Sequence, residues 1–453
     1  VVVTATNQSA RPSINMFSKF SAVAAFALAR TASAETWAVV VAGSNTYGNY
    51  RHQADACHAY QILTAGSIPP ERIILMAYDD IASSPENPFP GQVFNKPTRK
   101  GEPGVDVYAG CDIAYSGDDV TKENFFAVLK GDASAVPEGK PVLQSTKDDD
   151  VFVYFADHGG VGLIAMPVGD YVYYDELNQT LTSMSDSAMY SRLVFYLEAC
   201  ESGSMFEDVL SPELGIYAQT AANAEESSYG TYCGVEAVVD GVNVGSCLGD
   251  LYSVSWMEDS DDLGEVCSET LLAQLVRVTK ETDQSHVMSY GDQSYMRDTL
   301  CAYQAKDCDD SCAGVEPPHR GGIRGSKPAK DEAAIRRAGS VDSRDVQLEY
   351  LMTKAVLHGG SMEAVAEEVR ARDAIDAAYD AIVTTLAGDV AALAETGRAR
   401  DAVCLRDAVH AVEAHCGRHS DYGLKHVKTL NHLCNAGFSG AQIDAAAATA
   451  CSA

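Results

Sequence analysis

Four short apolar runs set the class of fold open to this chain. Trp37–Val41 (WAVVV), Arg72–Met76 (RIILM), Val151–Phe155 (VFVYF) and Leu193–Leu197 (LVFYL) are rich in β-branched and aromatic residues and lack the polar alternation of a half-exposed strand. Runs of this kind read as strands buried on both faces. Helical spacing follows the first run from Ala54 through Leu63 and precedes the third at Phe125–Leu129, and Ile216–Ala222 reads as a fifth strand. Strands alternating with helices predict an α/β fold with a parallel sheet covered on both sides. Two runs end abruptly, the third on Ala156-Asp157-His158-Gly159-Gly160 and the fourth on Glu198-Ala199-Cys200-Glu201-Ser202-Gly203. Open sheets of this class carry their sites at the carboxyl ends of the strands.

That rule brings His158 and Cys200 together. Neighbouring strands lie about 5 Å apart, so an imidazole and a thiol at adjacent ends can face one reacting carbonyl. The imidazole would help ionise the thiol, the thiolate would attack an acyl carbon, and imidazolium would protonate the leaving amine. Gly159 and Gly160 let the backbone approach closely, so the amide of Gly159, with that of Cys200, can form an oxyanion hole. Taken alone, Cys200 reads rather as an ordinary buried or disulfide-bonded cysteine.

The chain has 453 residues, enough for two or three domains, and a formal net charge of -31. That charge repels nucleic acid and anionic membranes and suits an acidic compartment. Residues 1–15 read as an upstream artefact. Residues 16–34 carry Lys19, an apolar stretch through Phe20, Val23, Phe26 and Leu28, and Ala32-Ser33-Ala34, the pattern of a cleaved secretory signal. No later run is long enough to span a bilayer. Secretory entry makes the 13 cysteines mainly disulfides, with an odd one left as a candidate free thiol, and Asn178-Gln179-Thr180 is a glycosylation sequon at Asn178.

After the first domain, 35–303, residues 304–340 are rich in Gly, Pro and charge and read as an exposed linker. From 341 to 453 the chain is Ala-rich with helical spacing, the mark of a small helical bundle. Cys404, Cys416, Cys434 and Cys451 lie in it and suggest two bridges; a zinc site with His415 or His432 is the competing reading, but their spacing fits no tight metal pattern. No cofactor motif is found.

Several blocks of sequence carry a family resemblance. VAGSNTYGNYRHQADACHAYQIL, DHGG, FYLEACESGSM, TAANAEESSYGTYC, CLGDLYSVSWMEDSD and SHVMSYGD fall in order between Trp37 and Gly291, and AVEAHCGRHSDYGLKHVKTLNHLCNAGFSGAQI closes the chain. They resemble the legumain family of asparaginyl endopeptidases, including its prodomain. The resemblance implies a caspase-like, mostly parallel six-stranded sheet with a C-terminal all-α prodomain. It implies Cys200 as nucleophile, His158 as its partner and Asn49 positioning that His. It also implies a pocket of Arg51, His52, Glu198, Ser228 and Asp250 for the residue before the cut. An Asn side chain offers one acceptor and two donors, matching Arg51 on one side and Glu198 and Asp250 on the other, and protonated Asp mimics it at low pH. The implied disulfides are Cys233 with Cys247, Cys404 with Cys434 and Cys416 with Cys451. Cys57, on a helical segment, is expected to be a buried free thiol; Cys111, Cys267, Cys301, Cys308 and Cys312 are unassigned.

The resemblance therefore implies a zymogen that hydrolyses protein and peptide substrates after Asn, inhibited by its own prodomain and activated in a vacuole- or lysosome-like compartment or after secretion. Gly230 favours hydrolysis over peptide ligation. Six of the 11 histidines (His358, His410, His415, His419, His426, His432) fall in the prodomain, and their protonation, with that of protease carboxylates, is expected to loosen it. No Asn lies between Asn243 and Asn431, so self-cleavage in the linker would use Asp307, Asp309, Asp310, Asp331, Asp342 or Asp345, or else another protease cuts. The alternatives are a lipid-anchor transamidase, which would carry a C-terminal membrane segment, and a silent binding protein, which would lack the thiol or imidazole.

Overall fold

A computed structural model describes residues 34–99, 101–306, 308–315, 335–388 and 398–452. The leader at 1–15 and almost all of 16–34 lie outside the described residues, as do Asp307 and Asp331. The apolar runs become the centre of a seven-stranded sheet. Its strands are β1 (Thr36–Ala42), β2 (Ile73–Met76), β3 (Ile113–Tyr115), β4 (Asp150–Ala156), β5 (Arg192–Glu198), β6 (Ile216–Thr220) and β7 (Met288–Gly291). Their order is β7-β6-β5-β4-β1-β2-β3. Six strands are parallel and β7 pairs antiparallel with β6, one strand more than the six expected.

Side chains alternate to two apolar layers because successive strand residues point to opposite faces. Val40, Phe152, Tyr154 and Tyr196 pack on one face under helices α1 (Tyr50–Ala65), α4 (Leu251–Ser260) and α5 (Leu271–Glu281), where Trp256 of α4 makes edge contacts with Phe152, Tyr154 and Tyr196. Val39, Val153, Phe155 and Phe195 pack on the other face, under α2 (Lys122–Leu129) and α3 (Tyr174–Asp186). Burial of one such side chain contributes about 1.5–3 kcal/mol, so the sheet is the rigid element on which the loop ends are held.

The C-terminal bundle comprises α6 (Val346–Leu357), α7 (Met362–Ala387), α8 (Ala402–Cys416), α9 (Val427–Asn435) and α10 (Gly440–Ala450). Its apolar residues Leu405, Val409, Val427 and Leu430 join the cluster that contains Leu163 and Tyr173 of the sheet domain. No helix among the described residues is long and apolar enough to cross a membrane.

Six disulfides are present among the described residues: Cys57–Cys111, Cys233–Cys247, Cys267–Cys312, Cys301–Cys308, Cys404–Cys434 and Cys416–Cys451. Cys57 is therefore not a free thiol; it ties α1 to the loop ahead of β3. The bundle's four cysteines are paired with one another, which leaves no thiolate for zinc. Cys200 is the cysteine left free. Asn178 lies in α3 and is half-buried, with Thr180 of its sequon buried.

Candidate active site

The register of the central strands places the chemistry. Ala156 of β4 lies opposite Glu198 of β5, so His158 and Cys200 both sit two residues past a matched pair. Glycine is required beside them, since a Cβ on Gly159 would come within 2.4 Å of the Cys200 carbonyl oxygen. The turn after Cys200 puts Glu201 at φ 50°, a left-handed conformation held by the Glu201 amide donating to the Glu226 carbonyl at 2.7 Å. Cys200 is fully buried, and its Sγ accepts from the Ser228 amide at 3.3 Å.

His158 Nε2 lies 2.9 Å from Asn49 Oδ1, at the start of α1. One helical turn carries the neighbouring pocket: Arg51 donates from Nη1 to Asn49 Oδ1 at 3.1 Å and from Nε to Asp250 Oδ1 at 2.8 Å. His52 Nδ1 meets Ser44 Oγ at 2.6 Å, and its Nε2 is 3.5 Å from Asp250 Oδ2. Glu198 Oε2 accepts from the amide and hydroxyl of Ser253 at 3.1 and 3.0 Å. Arg51 Nη2, Glu198 Oε1 and Asp250 Oδ2 remain buried without a hydrogen-bond partner. Asn49, Arg51, His52, His158, Gly159, Glu198, Cys200, Ser228 and Asp250 thus converge on one sheet edge. The atoms of His52, Asp157 and His158 that can bind metal lie within 4.8 Å of one another, but both imidazoles already engage Ser44 and Asn49.

Two parts of the C-terminal region cover this edge. Val341 and Asp342 form a strand antiparallel to Tyr229–Thr231, with Asp342 opposite Tyr229 and Val341 opposite Gly230. Ser343 continues it, its amide donating to the Ser228 carbonyl at 3.0 Å and its hydroxyl 3.4 Å from that of Ser228. Arg344 donates to the Gly159 carbonyl and to Glu201 Oε2, both at 2.6 Å. From the bundle, Asp421 places Oδ2 3.2 Å from His158 Nε2 and 3.4 Å from Asn49 Nδ2.

The Peptidase C13 family model matches residues 36–306, and the legumain prodomain model matches residues 363–451. The chain belongs to the peptidase C13 family. The vacuolar-processing enzyme beta-isozyme of Arabidopsis thaliana is 39% identical over 92% of this chain and 86% of its own length. Legumain of Canavalia ensiformis is 39% identical over 92% of this chain and 88% of its own. A crystal structure of caspase-1 from Spodoptera frugiperda covers 58% of this chain and 92% of its own, at 9% identity and a TM-score of 0.34.

The electrostatics of this C13 peptidase depend on burial. Burial, aided by Glu201 and Asp342 and opposed by Arg344, pushes the Cys200 thiol up to about 11, so in this covered state it is protonated. Burial and the Asp250 carboxylate push Glu198 up to about 8. Burial raises Glu201 to about 7 against the pull of Arg344. Burial, with Arg51 and His158 adding, holds His52 well below its usual value, and so neutral. Asp421 differs: burial alone would raise it, but His158 and Arg51 hold its carboxylate below the usual range.

Residue patterns did not reveal Asp421, Arg344, Ser343 or Asp55, whose Oδ2 accepts from the Asp250 amide at 3.1 Å. Asp421 sits in a loop 372 residues from Asn49, and no spacing rule reaches that far. The composition of 304–340 pointed to an exposed linker, yet its described end is packed: Arg336 is 4% exposed, as is Arg344 just beyond it.

Proposed function

We propose that this cysteine endopeptidase hydrolyses the bond after Asn in protein substrates. The observation that carries the reading is the trio of buried atoms without a hydrogen-bond partner, Arg51 Nη2, Glu198 Oε1 and Asp250 Oδ2, of which Glu198 lies two residues upstream of Cys200 at the end of β5. One donor and two acceptors complement a carboxamide, and a buried polar site rejects side chains that leave its groups unpaired. Cys200 attacks the substrate carbonyl, His158 takes the thiol proton and returns it to the leaving amine, and Asn49 holds the imidazole through Nε2. Backbone amides at Gly159 and Cys200 stabilise the oxyanion. Asp⁻ would set its charge against the Asp250 side chain in that pocket and is accepted only when protonated, so cleavage after Asp belongs to acid. Gly230, as in the hydrolysing relatives it resembles, is read as favouring hydrolysis over ligation.

The chain is read as a zymogen. Residues Val341–Arg344 fill the cleft, Asp421 holds His158, and Arg344 holds Glu201. Ser343 lies over Ser228 with a side chain too short to bridge the carboxamide-binding atoms, so it blocks without being a good substrate. Loss of the Glu201 carboxylate would leave the buried Arg344 without its counter-charge, so this pair is a main hold on the cover. Of the prodomain histidines, His410 faces Asp170 of the peptidase, whereas His415, His419 and His426 face Asp444, Glu413 and Asp376 within the bundle. An acidic vacuole-like compartment reached by the secretory route suits this chemistry, as the names of the plant relatives do.

Fluorogenic tripeptides ending in Asn, Asp, Gln or Ala, assayed after processing of the full chain, test the specificity. Asn is expected to dominate at all pH values, with Asp rising only in acid; equal rates for Asn and Ala would overturn it.

A further inference from the structure

The stretch between the two family-matched regions carries a second built site. Ahead of Val341 the chain makes one helical turn at 335–338, and from it Arg336 enters the peptidase body. Its Nε donates to Tyr232 Oη at 3.0 Å, Nη1 to Glu281 Oε2 at 3.0 Å and Ser255 Oγ at 3.5 Å, and Nη2 to Glu258 Oε2 at 2.6 Å. Tyr232 Oη in turn donates to Glu258 Oε1 at 2.7 Å. Every pocket residue comes from the peptidase: Tyr232 from the loop after Tyr229–Thr231, Ser255 and Glu258 from one face of α4, and Glu281 from the end of α5. The next residue, Arg337, is exposed and pairs only with Asp283.

The pocket lies on the track of the cleft. Thr231 Oγ1 donates to the Arg336 carbonyl at 3.1 Å, the Cys233 amide donates to the Gly339 carbonyl at 3.0 Å, and the chain then pairs residue by residue past Gly230 and Tyr229 to Ser343 over Ser228. When this segment leaves, two partly buried carboxylates lose their counter-ion while the walls that hold them remain. Separating a buried pair in this way is costly, and a planar guanidinium matches the divergent acceptors where an ammonium cannot.

We propose that Tyr232, Ser255, Glu258 and Glu281 form a guanidinium subsite of the peptidase. Arg336 fills it in the proform, and an arginine of a polypeptide substrate, seven residues before the residue that precedes the cut, as Arg336 is before Ser343, fills it in the processed enzyme. This rests on the reading that residues 335–344 lie along the cleft as a substrate does.

The test uses peptides with the sequence of 335–345 in which the Ser343 position carries Asn, the Arg337 position carries Gln, and the Arg336 position carries Arg, Lys or Gln. Each is offered to enzyme processed from the full chain. The readout is the ratio of kcat/KM between Arg and Gln peptides within each enzyme, so any general loss of activity divides out. We expect a ratio of about ten or more, expressed mainly in KM, with Lys close to Gln, falling below about two in Glu258→Gln/Glu281→Gln. A ratio near one in the wild type, or one unchanged in the double variant, overturns the proposal, and the wild-type comparison stands even where the variant fails to fold. A second arm needs no catalysis. In full-length Arg336→Ala, agmatine should raise Tm, and it should not do so in wild type or in Arg336→Ala/Glu258→Gln; no rise in Arg336→Ala overturns the pocket. If agmatine binds but neither peptide is cut at Asn, the cleavage reading has failed and the guanidinium site has not.

Discussion

In the proposed reading Glu198 joins attack to selection, since it occupies the strand end that also delivers Cys200. Removing its carboxyl strips the Ser253 amide and hydroxyl of their acceptor and takes from the pocket the unpartnered Oε1. Glu198→Ala is expected to lower kcat/KM on an Asn peptide by roughly 100-fold or more, while alkylation of Cys200 in the processed enzyme stays within about threefold. Glu198→Gln should cost much less in acid. Burial lifts the carboxyl to about 8, so the native group is protonated there and a carboxamide is its isostere. Steady-state kinetics beside iodoacetamide inactivation rates check both; equal loss of peptide cleavage and alkylation would mean that Glu198 holds up the fold rather than reading the substrate. His158 and Cys200 were legible in the sequence because each terminates an unbroken apolar run, and strand periodicity alone brings such ends together. Asp421 was not, because the bundle delivers it across the fold.

At the scale of elements, the segment Val341–Arg344 acts as a short strand laid against Tyr229–Thr231. It carries two predictions. Full-length Ser343→Asn supplies the missing carboxamide, so the chain should cut itself between 343 and 344, seen by mass spectrometry as a new carboxyl terminus at 343; an intact chain would show that the segment does not present its bond to Cys200. Arg344 holds the cover through Glu201. Glu201→Gln leaves the buried Arg344 without its counter-charge, so the variant should be less latent than wild type at neutral pH, with Cys200 alkylated faster; a variant as latent as wild type would remove Glu201 from the hold on the cover. Two elements were hidden from the sequence for physical reasons. β3 has three residues inside a loop-rich stretch, and β7 reads Met-Ser-Tyr-Gly, an edge strand half-exposed throughout. Neither offers the apolar run that marked the central strands. Cys57 misled because helical spacing says nothing about a partner 54 residues away.

Across the whole molecule, the disulfides decide which cuts can free the prodomain. Cys301–Cys308 and Cys267–Cys312 fasten the root of the linker to the peptidase body. A cut after Asp307, Asp309 or Asp310 lies upstream of Cys312, so the bundle would stay covalently attached through Cys267–Cys312. Release without reductant requires a cut beyond Cys312, which leaves Asp331, Asp342 and Asp345 among the aspartates noted in the linker. Non-reducing electrophoresis of processed material should show the peptidase free of the bundle, and its terminal peptide should contain Cys312; a peptidase ending before Cys308 and free under non-reducing conditions would contradict this pairing.

The most direct measurement of the central claim is the set of bonds cut in a denatured protein by enzyme processed from the full chain, read as new carboxyl termini by mass spectrometry. The account predicts termini at Asn, joined by Asp only in acid, and none when Cys200→Ala chain, processed by an added protease that is then removed, replaces the wild type. Termini of no common kind, or cleavage that persists without the Cys200 thiol, would contradict it.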